Sequence, residues 1–256
     1  MDAKQAIKQA IQMEQQGADI IDIGGESTRP NALPVSKEEE LRRVLSVIKV
    51  LSKKIKIPLS IDTTKAEVAR QAIEHGVSII NDVSGLTRDP NMMSIVAKSK
   101  VGLVLMHSKG TPQTMQRHPR YRNVVHEVYD FLEKQIKQAI AGGISKARLV
   151  IDPGIGFGKT VNHNLTLMNQ LYDFLPLGVP ILIGPSRKSF IGKVLTPHLT
   201  SPSRLARRGE GSLRWEGTAA AVAISILRGA RIVRVHDVAQ MARVAYVADA
   251  ICKGRL

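Results

Sequence analysis

The chain has 256 residues, 43% of them hydrophobic and 23% charged, which is ordinary for a folded protein and excludes a disordered one. Its formal net charge of +15 points to an anionic small molecule or to nucleic acid. Four Phe, four Tyr and one Trp are too few for an obvious base-stacking surface, so nucleic acid is not the expected partner. The single cysteine, Cys252, rules out an internal disulfide and suits a reducing, cytoplasmic compartment. The longest apolar stretch, 219–227, is too short to cross a membrane and contains Ser225.

The chain opens on a helical pattern. Ala3, Ala6, Ile7, Ala10 and Ile11 share one face, with Asp2 at its start and Gly17 at its end. Residues 20–23 read as a strand running into Gly24 and Gly25. Ser36 and Glu39 have the spacing of a capping box for a helix through about residue 52. Strand 58–61 ends at Asp62, and helix 65–74 stops near Gly76. Strand 77–80 ends at Asn81 and Asp82; Asp89 and Pro90 start another helix. Strand 101–106 ends at His107, and helix 123–141 stops at Gly142 and Gly143. Strand 149–151 meets Asp152, which opens the turn DPGIGFGK (152–159); a helix is expected over 164–174. Strand 180–183 leads into Gly-Pro-Ser-Arg-Lys (184–188). Residues 196–213 read as an exposed loop. Helix 216–228 stops at Gly229, strand 232–235 follows, and Asp237 with Gln240 caps the last helix.

Seven short apolar runs thus alternate with helices at α/β spacing, as parallel strands covered on both faces should. Nothing marks a second domain, so residues 1–256 are expected to form one. A TIM (β/α)₈ barrel leads, with an open doubly wound sheet as the alternative. Beginning on a helix leaves the barrel one strand short, and the missing one would be the first.

The turn 152–159 is neither common phosphate loop. Pro153 stands where a P-loop needs glycine, and Lys159 where the dinucleotide fingerprint needs its third. The acid before it is the informative residue, because a carboxylate leaving a buried strand needs partners. Each strand in fact ends in a residue that is costly to bury: Asp22, Asp62, Asn81, His107, Asp152, Lys188 after a turn, and Arg234 with His236. In either architecture the carboxyl ends of parallel strands gather where ligands bind. Arg234 and His236, two apart, face the same way and sit in a segment, 187–234, with ten Lys and Arg against two acids. Two acids and an amide suit the amidine-like edge of a flat heterocycle, and two cations with a histidine suit a phosphate-type leaving group. Asp89 and Asp237 read as caps. His75, His118, His126, His163 and His198 read as surface or core residues, and no pair has helical zinc spacing. Ser186 and Ser189 lack a nucleophile-elbow pattern.

DIGGESTRP (22–30), SIDTTK (60–65), IINDVSG (79–85), MHSKGTP (106–112), DPGIGFGK (152–159), SRKSFIG (186–192) and RVHDV (234–238) resemble, in order, the motifs of the dihydropteroate synthase family. That resemblance implies a TIM barrel condensing 6-hydroxymethyl-7,8-dihydropterin diphosphate with 4-aminobenzoate, in folate biosynthesis. It implies pterin contacts at Asp62, Asn81, Met106, Asp152 and Lys188, with Asp62, Asp152 and Lys188 carrying the catalysis. Diphosphate contacts are implied at Thr28, Arg29, Arg234 and His236, and aminobenzoate contacts at Thr28, Pro30, Phe157, Lys188 and Ser189. It further implies magnesium and a homodimer. The family's metal-contacting Asn lies in a first strand and loop that this sequence lacks, so no metal ligand is assigned. Asn31, Ser108 and the 196–213 loop depart from the family pattern. A non-catalytic or N-terminally incomplete pterin-binding homologue is the alternative; a pterin-dependent methyltransferase on the same fold would not need Arg234 with His236.

Overall fold

A computed structural model describes residues 2–196 and 215–255. The seven strands are β1 (Ile21–Gly24), β2 (Leu59–Asp62), β3 (Ile79–Asp82), β4 (Gly102–Met106), β5 (Leu149–Asp152), β6 (Leu182–Ile183) and β7 (Ile232–Val233). Between and around them lie α1 (Ala3–Gln15), α2 (Lys37–Lys54), α3 (Ala66–Glu74), α4 (Met92–Lys98), α5 (Val124–Ala141), α6 (Val161–Asn169), α7 (Ser189–Leu195), α8 (Trp215–Leu227) and α9 (Val238–Lys253).

The strands run parallel and in chain order. β1 to β5 form one sheet, and β6 pairs with β7. A parallel bridge between Ile151 and Ile181 joins the two. β2 is buried along its whole length, as a strand with helices on one side and the barrel interior on the other must be. Helices cover the outside through apolar stripes. In α2 the stripe is Val44, Val47, Ile48 and Leu51, all buried. Among the described residues no ladder hydrogen bonds join β7 to β1. A cavity of about 1420 Å³ opens there, between Ile20 and Ile21 on one side and Ile232 and Val233 on the other. The gap falls where the strand count left the barrel one short.

Several local expectations change. Ser36 caps α2 by accepting from the Glu39 amide at 3.2 Å. The Glu39 carboxylate does not reach back, because Arg42 and Arg43 Nε each hold it at 2.7 Å, so the box is half made. Asp89 serves two helices: its Oδ1 accepts the Asn91 amide at 3.0 Å in the turn leading into α4. Its Oδ2 accepts from Ala66 N at 2.8 Å and so caps α3, while α4 starts later, at Met92. Asp237 is the N-cap of α9, as expected, and its carbonyl accepts from Met241 N at 2.9 Å, but its side chain makes no cap hydrogen bond; Arg187 Nε takes its carboxylate at 3.0 Å. Helix α6 is shorter than expected and passes into a 3₁₀ turn, Leu171–Leu177, containing Pro176, where proline removes an α-helical donor. His163, read as surface or core, completes a capping box with Thr160. Of the 196–213 loop, residues 197–213 lie outside the described residues.

Candidate functional site

Parallel pairing in order brings the strand ends to one edge. The register sets Gly24 beside Asp62, Asp62 beside Asn81, and Met106 beside Asp152. Asn81 Nδ2 donates to Asp22 Oδ2 at 3.2 Å. Arg234, just past β7, reaches across the open side of the ladder. Its Nε donates to Asp22 Oδ2 at 2.7 Å and its Nη2 to Asp62 Oδ2 at 3.1 Å. Asp22 Oδ1 and Asn81 Oδ1 are buried and have no hydrogen-bond partner. Two acceptors with no donor, side by side, mark a place where a ligand's N–H groups would be satisfied.

Asp152 is buried, and its Oδ1 accepts the Gly154 amide at 2.7 Å. Burial raises its pKa, against the lowering pull of that amide and of Lys188 and Lys159. Burial likewise pushes Asp62 up to about 7; the Arg234 charge opposes this, and Asp22, Glu40 and Asp82 add to it. Burial pulls Lys188 down to about 8, with Asp152 opposing. The Lys188 ammonium lies 4.2 Å over the Phe157 ring, a cation–π contact. His236 Nδ1 lies 3.0 Å from Ser186 Oγ, which fixes its ring. Its pKa is lowered by burial and by Arg187 and Arg234.

The cavity between β7 and β1 is lined by Thr28, Arg29, Pro30, Asp62, Phe157, Lys188, Ser189, Arg234 and His236, together with Asp22. Asn81, Met106 and Asp152 do not line it; they are buried at neighbouring strand ends. The structure thus places the sequence-predicted residues at one strand-end edge, some on the cavity and some behind it, and two side chains are arranged otherwise than expected. His107, expected at the same edge, turns inward: it packs edge-on against Phe131 at 5.0 Å and meets Lys159 Nζ at 2.9 Å through Nδ1. Burial and the Lys159 charge lower its pKa to about 2, so it is a neutral core residue. Arg234, expected with His236 at an anion end, has its guanidinium on the two acids instead.

Sequence reasoning assigned no role to Asp22, although its strand-end position marked it equally with Asp62. It also missed the Glu26–Lys65–Glu40 cluster and the buried Lys159, which carry no local signature. Among the described residues no group of three or more His, Cys, Asp or Glu could hold a metal ion, and no helix is long and apolar enough to cross a membrane.

Residues 1–236 match the family model described as pterin binding enzyme. A dihydropteroate synthase of Synechocystis sp. is 46% identical over 96% of this chain and 81% of its own length. Another, of Bacillus subtilis, is 43% identical over 96% of this chain and 80% of its own. Among solved structures, a Yersinia pestis dihydropteroate synthase with a sulfonamide drug complex superimposes with a TM-score of 0.90 at 35% identity, covering 99% of this chain and 87% of that one.

Proposed function

This chain belongs to the family of pterin-binding enzymes, and on that ground we propose that it is a dihydropteroate synthase, joining a pterin diphosphate to 4-aminobenzoate. One observation carries the reading: the buried, unpartnered acceptors Asp22 Oδ1 and Asn81 Oδ1, on the strand-end edge that also carries Asp62 and, two strands on from Asn81, Asp152. The N–H edge of a pterin supplies the donors those oxygens lack. A Xanthomonas albilineans dihydropteroate synthase in complex with 7,8-dihydropteroate, 40% identical with a TM-score of 0.84 over 97% of this chain, supports the same reading.

The proposed roles follow the charges. Asp62, Asn81, Met106, Asp152 and Lys188 hold the pterin. Arg234, His236, Thr28 and Arg29 hold the diphosphate. Thr28, Pro30, Phe157, Lys188 and Ser189 hold the aminobenzoate, whose ring Phe157 faces. The amine lone pair attacks the exocyclic methylene. A C–N bond forms, the C–O bond to diphosphate breaks, and the amine's proton passes to solvent. Carboxylates facing the ring stabilise the positive charge that develops there. Arg234 must leave Asp22 and Asp62 for phosphate oxygens when substrate binds, trading one anion for another. Magnesium would be held chiefly by oxygens of the diphosphate, since no acidic cluster among the described residues could hold it alone. Bound there, the ion would neutralise charge on the leaving group.

A homodimer is supported by exposed apolar side chains on α8, Ile224 and Leu227, and on α9, Val247 and Ile251; sedimentation at a single monomeric mass would remove that support. The free, exposed Cys252 suits the cytoplasm.

The test is an assay of the purified protein for dihydropteroate and diphosphate, beside calorimetry with a pterin. Turnover is expected, and Lys188→Ala and Asp152→Asn should each weaken pterin binding by about tenfold or more. Unchanged binding in both variants would sink the site. Binding of pterin with no product would instead establish a pterin-binding protein without turnover.

A further inference from the structure

The loop after β1 is fastened at its root by side chains that the proposed reaction does not use. Gly25 is pressed on α2, where an added Cβ would lie 2.8 Å from both Glu40 Cγ and Val44 Cγ1. Arg43 Nη1 donates to Gly25 O at 2.9 Å. At the next residue, Glu26 Oε1 accepts the Val35 amide at 3.2 Å, and Glu26 Oε2 accepts from Lys65 Nζ. One carboxylate therefore closes residues 27–34 into a loop and ties both of its ends to the exit of β2. Lys65 Nζ also donates to Glu40 Oε2 at 2.5 Å. The two jaws differ: the Glu40 side chain is fully buried on α2, whereas Glu26, on the loop, is 18% exposed. At the far end Asn31, in the left-handed region with φ 64°, donates its amide to Pro112 O at 2.8 Å.

We infer that Lys65 is a positioning residue, and that the Glu26–Lys65–Glu40 bridge anchors the root of the loop bearing Thr28, Arg29 and Pro30 beside the cavity. The aminobenzoate role of that loop rests on the function proposed above; the bridge itself does not. Without such an anchor a longer stretch of chain would have to be ordered at each binding event, at a larger entropic cost. A surface ion pair would contribute little to this, but Lys65 is only 24% exposed, so solvent screens the bridge weakly. Burial works against the Lys65 charge, but hydrogen bonds and charge from Glu26 and Glu40 outweigh it and raise its pKa above the ordinary lysine value, so the bridge is intact at neutral pH.

Glu26→Gln is the informative variant. It cuts the bridge at the loop while leaving Lys65 paired with the buried Glu40. Hydrogen exchange at the Val35 amide should accelerate by about tenfold or more. The KM for 4-aminobenzoate should rise by about tenfold with kcat changed much less. Pterin affinity should not move, because Asp62, Asn81, Asp152 and Lys188 sit on or beside strands. Lys65→Arg, which can still bridge two carboxylates, should restore Val35 protection where Lys65→Met does not. Unchanged Val35 exchange in Glu26→Gln would overturn the inference, as would a fall in pterin affinity equal to the loss toward aminobenzoate. Loss of Val35 protection in a protein without turnover would sustain the bridge and reject the enzyme; turnover with unchanged Val35 exchange would do the reverse.

Discussion

Asp62 shows what burying an acid costs. Burial lifts its pKa from an ordinary 3.8 to about 7, even with Arg234 opposing. Between those values the folded protein holds a proton that the unfolded chain has released. Fewer protons are then bound in the unfolded state, so stability falls as pH rises through this window. Urea denaturation should show it: from about pH 5 to about pH 8 the wild type should lose roughly 1–3 kcal/mol more than Asp62→Asn. Parallel curves would mean that Asp62 is charged throughout. The same substitution should weaken pterin binding, because the amide offers one acceptor where the carboxylate offers two. Asp62, Asp152, Lys188 and Arg234 were legible because each follows an apolar run, and the end of a parallel strand has a known place in the fold. Lys65 was not: its partners are 39 and 25 residues away in sequence, and no local spacing encodes such a contact.

At the scale of one element, the turn 152–159 joins sequence and structure most directly. Its glycines announced that something approaches the backbone closely. What approaches is the chain's own backbone after β4. A Cβ on Gly154, where φ is +72°, would lie 1.9 Å from His107 O, and one on Gly158 2.3 Å from Lys109 O. Both positions thus combine a left-handed conformation with a contact that no side chain can enter. Gly154→Ala should therefore cost about 2–4 kcal/mol in denaturant unfolding. It should also loosen Asp152, whose Oδ1 accepts the Gly154 amide, and so lower pterin affinity. A loss under about 0.5 kcal/mol would show slack between the two loops that these distances do not allow. Elements were otherwise read well where apolar period and punctuation agreed, as in α2 and α5. They were read poorly where a side chain found a better partner in space, as Asp89 found α3 and Asp237 found Arg187.

Among the described residues, strand number and order were legible because the strands are short, mostly apolar runs closed by polar residues and parallel strands follow the chain. The count also left the ladder one strand short, and the ladder is open between β7 and β1. What no count could supply is the link that spans the opening. Arg234 connects β7 to Asp22 on β1 and Asp62 on β2 where no ladder bonds do. The Arg234 side chain is 43% exposed and that of Asp62 only 6%, so solvent reaches the arginine more than the acid. Removing the cation should leave a buried carboxylate uncompensated, whereas removing the carboxylate leaves Arg234 paired with Asp22. Arg234→Met should accordingly cost about 1–2 kcal/mol in urea denaturation near pH 8, where Asp62 is charged. In an Asp62→Asn background the same change should cost much less, giving a coupling of about 1 kcal/mol. Near pH 5, with Asp62 protonated, the coupling should shrink, because the pair then lacks its negative member. Additive costs at both pH values would assign the link across the opening to Asp22 alone.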